Sequence, residues 1–363
     1  MLPRDVISTG PLILRTPADG DAESIVRAFD DPVTARYLPL LPAPYRLEDA
    51  HDYLKHAEDK WRSGGAEWAI TEDGRYCGSI GVRPPTRWGV VEMGYVVAPW
   101  ARGRGVASRA ARAVGDWLAD QGVHRVELQT EVENVAGLRV ALKAGFLEEG
   151  RRRQAKRARD GRWVDLVAFA RIAGESAQAD EPYLPFFDGG ELSDGVVRLA
   201  PLTADDAPAY NRMMGDPSVT AYSLTPPASL EEDERRCRRT GYWWATGQRI
   251  ELAVRDAATG DFAGHLQLMQ VVPVLGQAMI GYSLVPDFRG RGFMTRAVRL
   301  LVDWAFARTA LHRIVAGTDV DNAASHAVLE RAGFSRESLH RELFPKPDGT
   351  RADDIEWVRL RPS

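Results

Sequence analysis

The chain has 363 residues, of which 44% are hydrophobic and 27% charged, as expected of a soluble globular protein with two domains. The formal net charge of −4 gives no reason to expect nucleic acid as a partner, and no apolar run is long enough for a signal sequence or a membrane span. Cys77 and Cys237 have no CxxC spacing and the seven histidines no metal-ligand spacing, so we expect a cytoplasmic protein with no membrane partner and no metal.

The first half of the sequence predicts a mixed α/β domain over residues 1–173. Apolar residues recur at helical spacing in some segments and alternate in others, and Asp73-Gly74 is typical of a hairpin turn. In chain order, the predicted elements are strand 12–15, a helix from about 19, helix 47–61, strands 67–71, 76–83 and 90–97, helix 108–121, strand 125–131, helix 135–144, and strands around 147 and 164–169.

A glycine-rich turn at residues 102–107 follows the strand that ends at Val97. Glycines allow a tight turn and a close approach of the backbone to a ligand, so several N–H groups can point at one anion. The positive end of the following helix would face the same anion. The turn therefore predicts a pyrophosphate site, although glycine-rich turns also occur without a ligand.

Residues 174–195 predict a linker, because they combine Ser, Gln, Asp, Pro and Gly-Gly without periodicity. The apolar run at 183–187 indicates that this linker is packed rather than free. Residues 196–363 then repeat the order of elements in the first half.

The repeat is a duplicated domain. Gly292 follows Gly105 by 187 residues and Asn322 follows Asn134 by 188, which is far longer than a solenoid unit. Duplicated single-domain enzymes often fuse what was a symmetric pair, so we expect the two domains to pack as an intramolecular pseudo-dimer.

Both copies resemble the GCN5-related N-acetyltransferases (GNAT), whose signature is Gln/Arg-x-x-Gly-x-Gly/Ala between the fourth strand and the third helix. The first copy fits this signature from Arg102 to Ala107, and the second departs only at Met294, a normally small position. The Glu-x-Gly-Tyr, Asn-x-x-Ser and Ala-Gly-Phe runs resemble the ribosomal-protein (Rim-type) branch. The resemblance covers nearly the whole chain except the linker, and it implies two tandem α/β domains, each with a mixed, mostly antiparallel sheet flanked by helices.

The resemblance also implies acetyl-CoA as co-substrate. In this family two central strands splay apart, and the exposed backbone pairs with the pantetheine amides as an added strand would. The arginines of each turn would add charge-assisted contacts to phosphate oxygens. The implied cofactor-binding residues are Val96, Val97, Arg102, Gly103, Arg104, Gly105, Val106, Ala107 and Asn134 in the first copy, and Leu284, Val285, Arg289, Gly290, Arg291, Gly292, Phe293, Met294 and Asn322 in the second.

Each copy lacks a candidate catalytic group that the other has. Glu92 lies where many relatives carry a general base, whereas its counterpart Met279 cannot accept a proton. Ser325 lies where the Rim-type branch has a hydrogen-bond donor to the CoA sulfur, whereas the first copy has Gly137. Glu92 is equally consistent with an outward-facing strand carboxylate, and Ser325 with an ordinary residue at a helix N-terminus.

The sequence thus predicts an acyl-CoA-dependent N-acetyltransferase that acts on an amine of a small molecule or peptide by direct attack. Two alternatives stay open: a protein N-terminal acetyltransferase of the ribosomal-protein type, and a CoA-binding module with one or both copies non-catalytic. Glu92 and the unbroken first turn favour the first copy for the chemistry. The tyrosines and tryptophans predicted either to line an acceptor pocket or to pack in the core are Tyr37, Tyr45, Tyr222, Trp243 and Trp244.

Overall fold

The computed structural model of the protein describes residues 2–175, 183–223, 226–346 and 349–362. The chain divides into two compact units, residues 1–181 and 182–363, and each contains one eight-stranded sheet flanked by helices. The predicted fold class is therefore confirmed. Within the described ranges, no helix is long and apolar enough to cross a membrane.

The N-terminal domain consists of eight strands and five helices in the part of the chain that the structure describes. The strands are β1 (Ile7–Thr9), β2 (Leu12–Arg15), β3 (Ala66–Glu72), β4 (Arg75–Val82), β5 (Val90–Val97), β6 (Arg125–Glu131), β7 (Leu147–Arg157) and β8 (Trp163–Ile172). The helices are α1 (Ala22–Phe29), α2 (Pro32–Tyr37), α3 (Leu47–Arg62), α4 (Val106–Asp120) and α5 (Val135–Lys143). The sheet order is β1-β2-β3-β4-β5-β6-β8-β7.

The C-terminal domain repeats this topology. Its strands are β9 (Leu192–Ser193), β10 (Val197–Pro201), β11 (Ile250–Asp256), β12 (Phe262–Val272), β13 (Gln277–Leu284), β14 (Arg313–Asp319), β15 (Ser335–Pro345) and β16 (Arg351–Leu360). Its helices are α6 (Ala207–Met214), α7 (Pro217–Thr220), α8 (Leu230–Cys237), α9 (Thr240–Ala245), α10 (Phe293–Arg308) and α11 (Ala323–Arg331). The sheet order, β15-β16-β14-β13-β12-β11-β10-β9, matches that of the first domain.

One parallel strand pair lies at the centre of each sheet, and its strands separate after a few residues. β5 pairs with β6 from Val90 to Met93, and residues 94–97 pair with β4 on their other side. β13 pairs with β14 only from Gln277 to Met279. The splay that the family resemblance implied is thus present in both domains, and it leaves backbone N–H and C=O groups of β5 and β13 open to a ligand.

An aromatic cluster forms part of the core in each domain. In the first, Trp68 lies between Trp61 and Trp117, with ring centroids 5.1 and 5.2 Å away and edge-to-face geometry. In the second, Phe187 lies between Trp244 and Trp304, 4.8 Å from each ring.

On the strand, Leu252 of β11 matches Trp68 of β3, so the second domain has no aromatic ring at that position. The ring of Phe187 takes the place of the Trp68 ring in the core. Phe187 and Leu184 are 5% and 0% exposed and belong to the second domain's core. The expected linker at 174–195 thus includes residues that fold with the second domain, and β9 also lies within it.

Candidate functional site

The two glycine-rich turns have the same backbone conformation. Gly103 and Gly105 have φ values of 74° and 73°, and Gly290 and Gly292 have 71° and 76°. These values lie in the left-handed region, which favours glycine over any residue with a Cβ. The second glycine of each pair is the N-cap of the following helix, α4 or α10.

The space in front of each turn is open. A Cβ on Gly103, Gly290 or Gly292 would meet no heavy atom within 4 Å, and one on Gly105 would meet only Arg109 Nη1 at 3.9 Å. The first N–H donated within α4 belongs to Arg109, which reaches the Gly105 carbonyl at 3.1 Å. The preceding N–H groups therefore have no partner within the helix, as at every helix start. Such groups and the helix dipole suit a pyrophosphate, so both turns fit coenzyme A.

The arginines of the first turn are held by carboxylates. Arg102 Nη2 donates to Asp31 Oδ2 at 2.5 Å and to Thr34 Oγ1 at 2.9 Å, and its Nε donates to the Val97 carbonyl at 3.3 Å. Burial alone would raise the pKa of Asp31, but the hydrogen bonds from Arg102 and the Thr34 amide hold that pKa below its ordinary value. Arg104 is paired with Glu72 at the end of β3. Arg102 therefore ties the turn to the start of α2.

The second turn has the same pattern with looser contacts. Arg289 Nη2 donates to the Leu284 carbonyl at 3.5 Å, and Arg291 Nη2 lies 3.5 Å from Asp256 Oδ2 at the end of β11. Arg291 also lies over the rings of Phe288 and Phe293, 5.0 and 4.8 Å from their centroids. Since the side chains of Arg104 and Arg291 are both 51% exposed, they keep donors accessible for a phosphate, and that role stays a prediction.

The paired asparagines are helix N-caps. Asn134 Oδ1 accepts the Gly137 N–H at 3.0 Å, and Asn322 Oδ1 accepts the Ser325 N–H at 3.1 Å. Each cap fixes the start of a helix, α5 after β6 or α11 after β14. The side-chain oxygens are thus used within the protein, and the asparagines order the edge of the proposed cofactor groove.

A tyrosine on each splayed strand contacts this helix start, and the sequence analysis missed it. Tyr282 donates to the Ser325 carbonyl at 3.4 Å, and Ser325 Oγ donates to the Tyr282 hydroxyl at 3.1 Å. Burial raises the pKa of Tyr282 to about 12. Tyr95 donates to the Gly137 carbonyl at 3.3 Å, and burial raises its pKa too. The Gly-Tyr pair kept in both copies was the available signal.

Glu92 lines a cavity of about 240 Å³ on the α1 and α3 side of β4 and β5. Its side chain is 37% exposed, and Oε2 lies 3.4 Å from Arg83 Nη1. Glu67 lies on the same wall but is only 5% exposed, and it accepts hydrogen bonds from Tyr53 at 2.6 Å and Lys60 at 2.5 Å. The complete lining is Phe29, Leu38, Tyr53, Lys60, Glu67, Ser79, Gly81, Arg83, Glu92, Met93, Gly94, Tyr95 and Val96.

Of the aromatic residues considered for an acceptor pocket, Tyr37 and Tyr45 do not line this cavity. Tyr45 stacks on Phe29 and donates to the Asp49 carbonyl, and Trp244 is in the core of the second domain. Tyr222 is 47% exposed, and Trp243 lies beneath Arg249. In the described ranges, no group of three or more His, Cys, Asp or Glu residues is placed to hold a metal ion.

Comparison with known proteins identifies the family. The acetyltransferase (GNAT) domain model matches residues 11–147 and 197–335. The chain is 46% identical over 96 residues to the probable N-acetyltransferase YjcK of Bacillus subtilis (strain 168), covering 26% of the chain and only 53% of that protein. It is 29% identical over 151 residues to spermidine N(1)-acetyltransferase of Escherichia coli (strain K12), covering 41% of the chain and 78% of that enzyme.

Among solved structures, RimJ of Mycobacterium smegmatis in complex with CoA-disulfide aligns with a TM-score of 0.42 and 25% identity, covering 46% of this chain and 82% of that one. Family membership rests on the sequence model, which matches one segment in each domain and together more than half of the chain. The chain therefore belongs to the GNAT acetyltransferase family, with two tandem copies of its domain.

Proposed function

We propose that the protein is an acetyl-CoA-dependent N-acetyltransferase whose N-terminal domain carries out the transfer, with Glu92 as the proton acceptor for the attacking amine. The supporting observation is that Glu92 lines the cavity beside the splayed end of β5 and keeps part of its side chain accessible. Bound acetyl-CoA would supply the electrophilic acyl carbon, with its pyrophosphate on the residues of turn 102–107 and its pantetheine along Val96 and Val97. Turn 289–294 with Leu284 and Val285 is the corresponding proposal in the second domain.

Glu92 would act on the proton that the amine must lose. An alkylammonium has a pKa near 10.4, so an acceptor amine that binds from neutral solution is protonated and cannot attack. A carboxylate within reach, directly or through one water, accepts that proton before the amine attacks. The C–N bond then forms, the C–S bond breaks, and the thiolate leaves as free CoA with the second proton of the amine. Arg83, 3.4 Å from Glu92, would orient the carboxylate along the cavity wall.

Ser325 is the corresponding candidate in the second domain, as a donor to the departing sulfur. In the structure its hydroxyl donates to Tyr282, so it would have to rotate to reach a ligand in the splay. The raised pKa of Tyr282 keeps the phenol protonated at neutral pH, which leaves it a donor as well. Met279, at the place of Glu92, supplies no base to this domain.

The acceptor that we propose is an amine of a small molecule or peptide. The 29% identity to spermidine N(1)-acetyltransferase supports a small amine, and the Rim-type motifs support an N-terminal amine as the alternative. Pairing of the two domains as a pseudo-dimer and a cytoplasmic location also stay predictions. Separately expressed domains that keep their melting temperatures would contradict the pairing.

Glu92→Gln tests the assignment, because it keeps the shape of the side chain and removes the proton acceptor. We expect turnover at neutral pH to fall roughly 100-fold. It should recover in part at alkaline pH, where free amine is abundant, and acetyl-CoA affinity should not change. Free thiol release would be followed across a panel of spermidine, other small amines and peptides, with Met279→Leu as the matched control in the second domain.

Three outcomes would contradict the proposal in different ways. An unchanged pH–rate profile in Glu92→Gln, with turnover abolished by Ser325→Ala, would move the chemistry to the second domain. Turnover with peptides alone would favour the N-terminal acetyltransferase. Acetyl-CoA binding without turnover of any amine would support a non-catalytic CoA-binding module.

A further inference from the structure

The wall of the cavity beside Glu92 is built from unusually small residues. Ser79, Gly81 and Gly94 line it on the two central strands β4 and β5. A Cβ on Gly94 would meet no heavy atom within 4 Å, and the backbone there has no left-handed φ. The space over Gly94 is therefore empty because the side chain is missing, and any L-residue could be placed there without backbone strain.

The same position of the second domain is filled. Strand register matches Gly81 with Gln267, since Glu67 pairs with Gly81 and Glu251 pairs with Gln267. Gly281, the counterpart of Gly94, has side chains over it: a Cβ there would lie 3.1 Å from Gln267 Nε2 and 3.3 Å from Met269 Cε.

A buried carboxylate with three basic partners adjoins this filled position. The register also matches Ser79 with His265, which is 3% exposed. Glu251 is 1% exposed, with Arg236 Nη2 at 2.9 Å and Arg249 Nε at 3.1 Å from Oε1, and with His265 Nε2 at 3.2 Å from Oε2. Burial alone would raise the pKa of Glu251, but His265, Arg236 and Arg249 lower it to about 2.

Such an arrangement does not open easily for a ligand. Displacing one of these groups would take a partner away from the buried carboxylate of Glu251, which is destabilising. The corresponding carboxylate of the first domain, Glu67, accepts from Tyr53 and Lys60 at one edge of the cavity and leaves the space over Gly94 free.

We infer that the acceptor amine binds only in the N-terminal domain, in the open space over Gly94. In the C-terminal domain the side chains of Gln267, Met269 and His265 fill the matching space. This inference rests on the proposed transferase function and adds where the acceptor binds. The acceptor class that fits is a small polar amine, because two ion pairs, Lys60–Glu67 and Arg83–Glu92, line the cavity.

The test is Gly94→Leu, with Gly281→Ala as the control in the second domain. Leucine at 94 fills the cavity without a left-handed φ, so we expect kcat/KM for the amine to fall roughly tenfold or more, mainly through KM, while the Kd for acetyl-CoA stays within about twofold. Gly281→Ala displaces only the flexible ends of Gln267 and Met269 and should leave turnover unchanged. An unchanged stoichiometry of acetyl-CoA binding shows that the N-terminal domain of Gly94→Leu is folded.

A graded series distinguishes a filled pocket from a damaged fold. Gly94→Ala should lose activity with bulky or branched amines before it loses activity with unbranched ones. Wild-type-like kinetics in Gly94→Leu, or a loss of turnover in Gly281→Ala, would overturn the inference. Absence of turnover in the wild type with every amine would instead refute the proposed function.

Discussion

Asp354 on β16 is expected to make the stability of the C-terminal domain depend on pH. It is 3% exposed, and its Oδ1 has no hydrogen-bond partner. Burial, with the nearby Glu356 and Asp319, raises its pKa from 3.8 to about 6, although His340 opposes the shift. The neutral carboxyl is thus favoured in the folded state, and ionising it in place costs free energy.

The sign and size follow from the two pKa values. Between roughly pH 4 and pH 6 the folded chain binds a proton that the unfolded chain releases, so the contribution of this carboxyl to stability is lost as pH rises through about 6. A shift of about 2 units corresponds to about 3 kcal/mol. Asp354→Asn stays neutral, so it should match the wild type near pH 4 and be about 2–3 kcal/mol more stable at pH 7 and above.

Calorimetric unfolding of the full chain at pH 4 to 8 measures the stability difference between Asp354→Asn and the wild type. For a domain of this size 1 kcal/mol moves Tm by roughly 2–4 °C, so the C-terminal transition of the variant should rise by several degrees at pH 7 and 8 but not at pH 4. Asp321→Asn, which changes an exposed carboxylate of the same domain, is the control. A gain of equal size at all pH values, or a gain at pH 4 alone, would refute the reasoning.

Two further predictions concern the cofactor turns and the core. Gly105→Val and Gly292→Val should each abolish acetyl-CoA binding in their own domain, because a Cβ enters the phosphate space and φ is left-handed. Calorimetry gives the number of acetyl-CoA molecules bound by each variant. Gly122→Val, at a residue with φ 82° outside the turn, controls for backbone strain. Unchanged binding in both turn variants would exclude these sites. Phe187→Ala should destabilise the C-terminal domain by roughly 3–5 kcal/mol in denaturant unfolding, and Phe186→Ala, which is partly buried, by less. Equal losses would contradict the role of Phe187 between the two tryptophans.

The sequence predicted what local pattern and repetition determine. The glycine turns and the long strands and helices follow from glycine spacing and apolar periodicity, and duplication reinforced each prediction. Helix α2 was missed because six residues are too few for a periodic signal. The Asp31-Pro32 pair was the local cue, since Asp31 accepts the Thr34 N–H at 2.8 Å and proline suits the first turn of a helix.

Side-chain roles that depend on distant contacts were beyond sequence reasoning. The hydrogen bond from Arg102 to Asp31 joins residues 71 positions apart, so the charge that holds this arginine cannot be recognised from the turn alone. The cavity is lined by Phe29 of α1 and Tyr53 of α3 rather than by Tyr37 of α2 and Tyr45, and it depends on the angle at which α1 and α3 pack on the sheet. Periodicity gives the buried face of a helix but not that angle.

The position of Phe187 has a consequence for how the two copies can be separated or exchanged. A gene fragment that starts at Val196, the first residue of the detectable repeat, would encode a sheet whose two core indoles lack the ring between them, and Trp244 would lose the carbonyl acceptors at Leu184 and Pro185. Instability of such a fragment would result from the missing Phe187 ring and would not show that the second domain depends on the first. A fragment of the second copy should instead begin before Leu184. A fragment of the first copy would likewise need its N-terminal residues, because the Asp5 carbonyl accepts the indole N–H of Trp68.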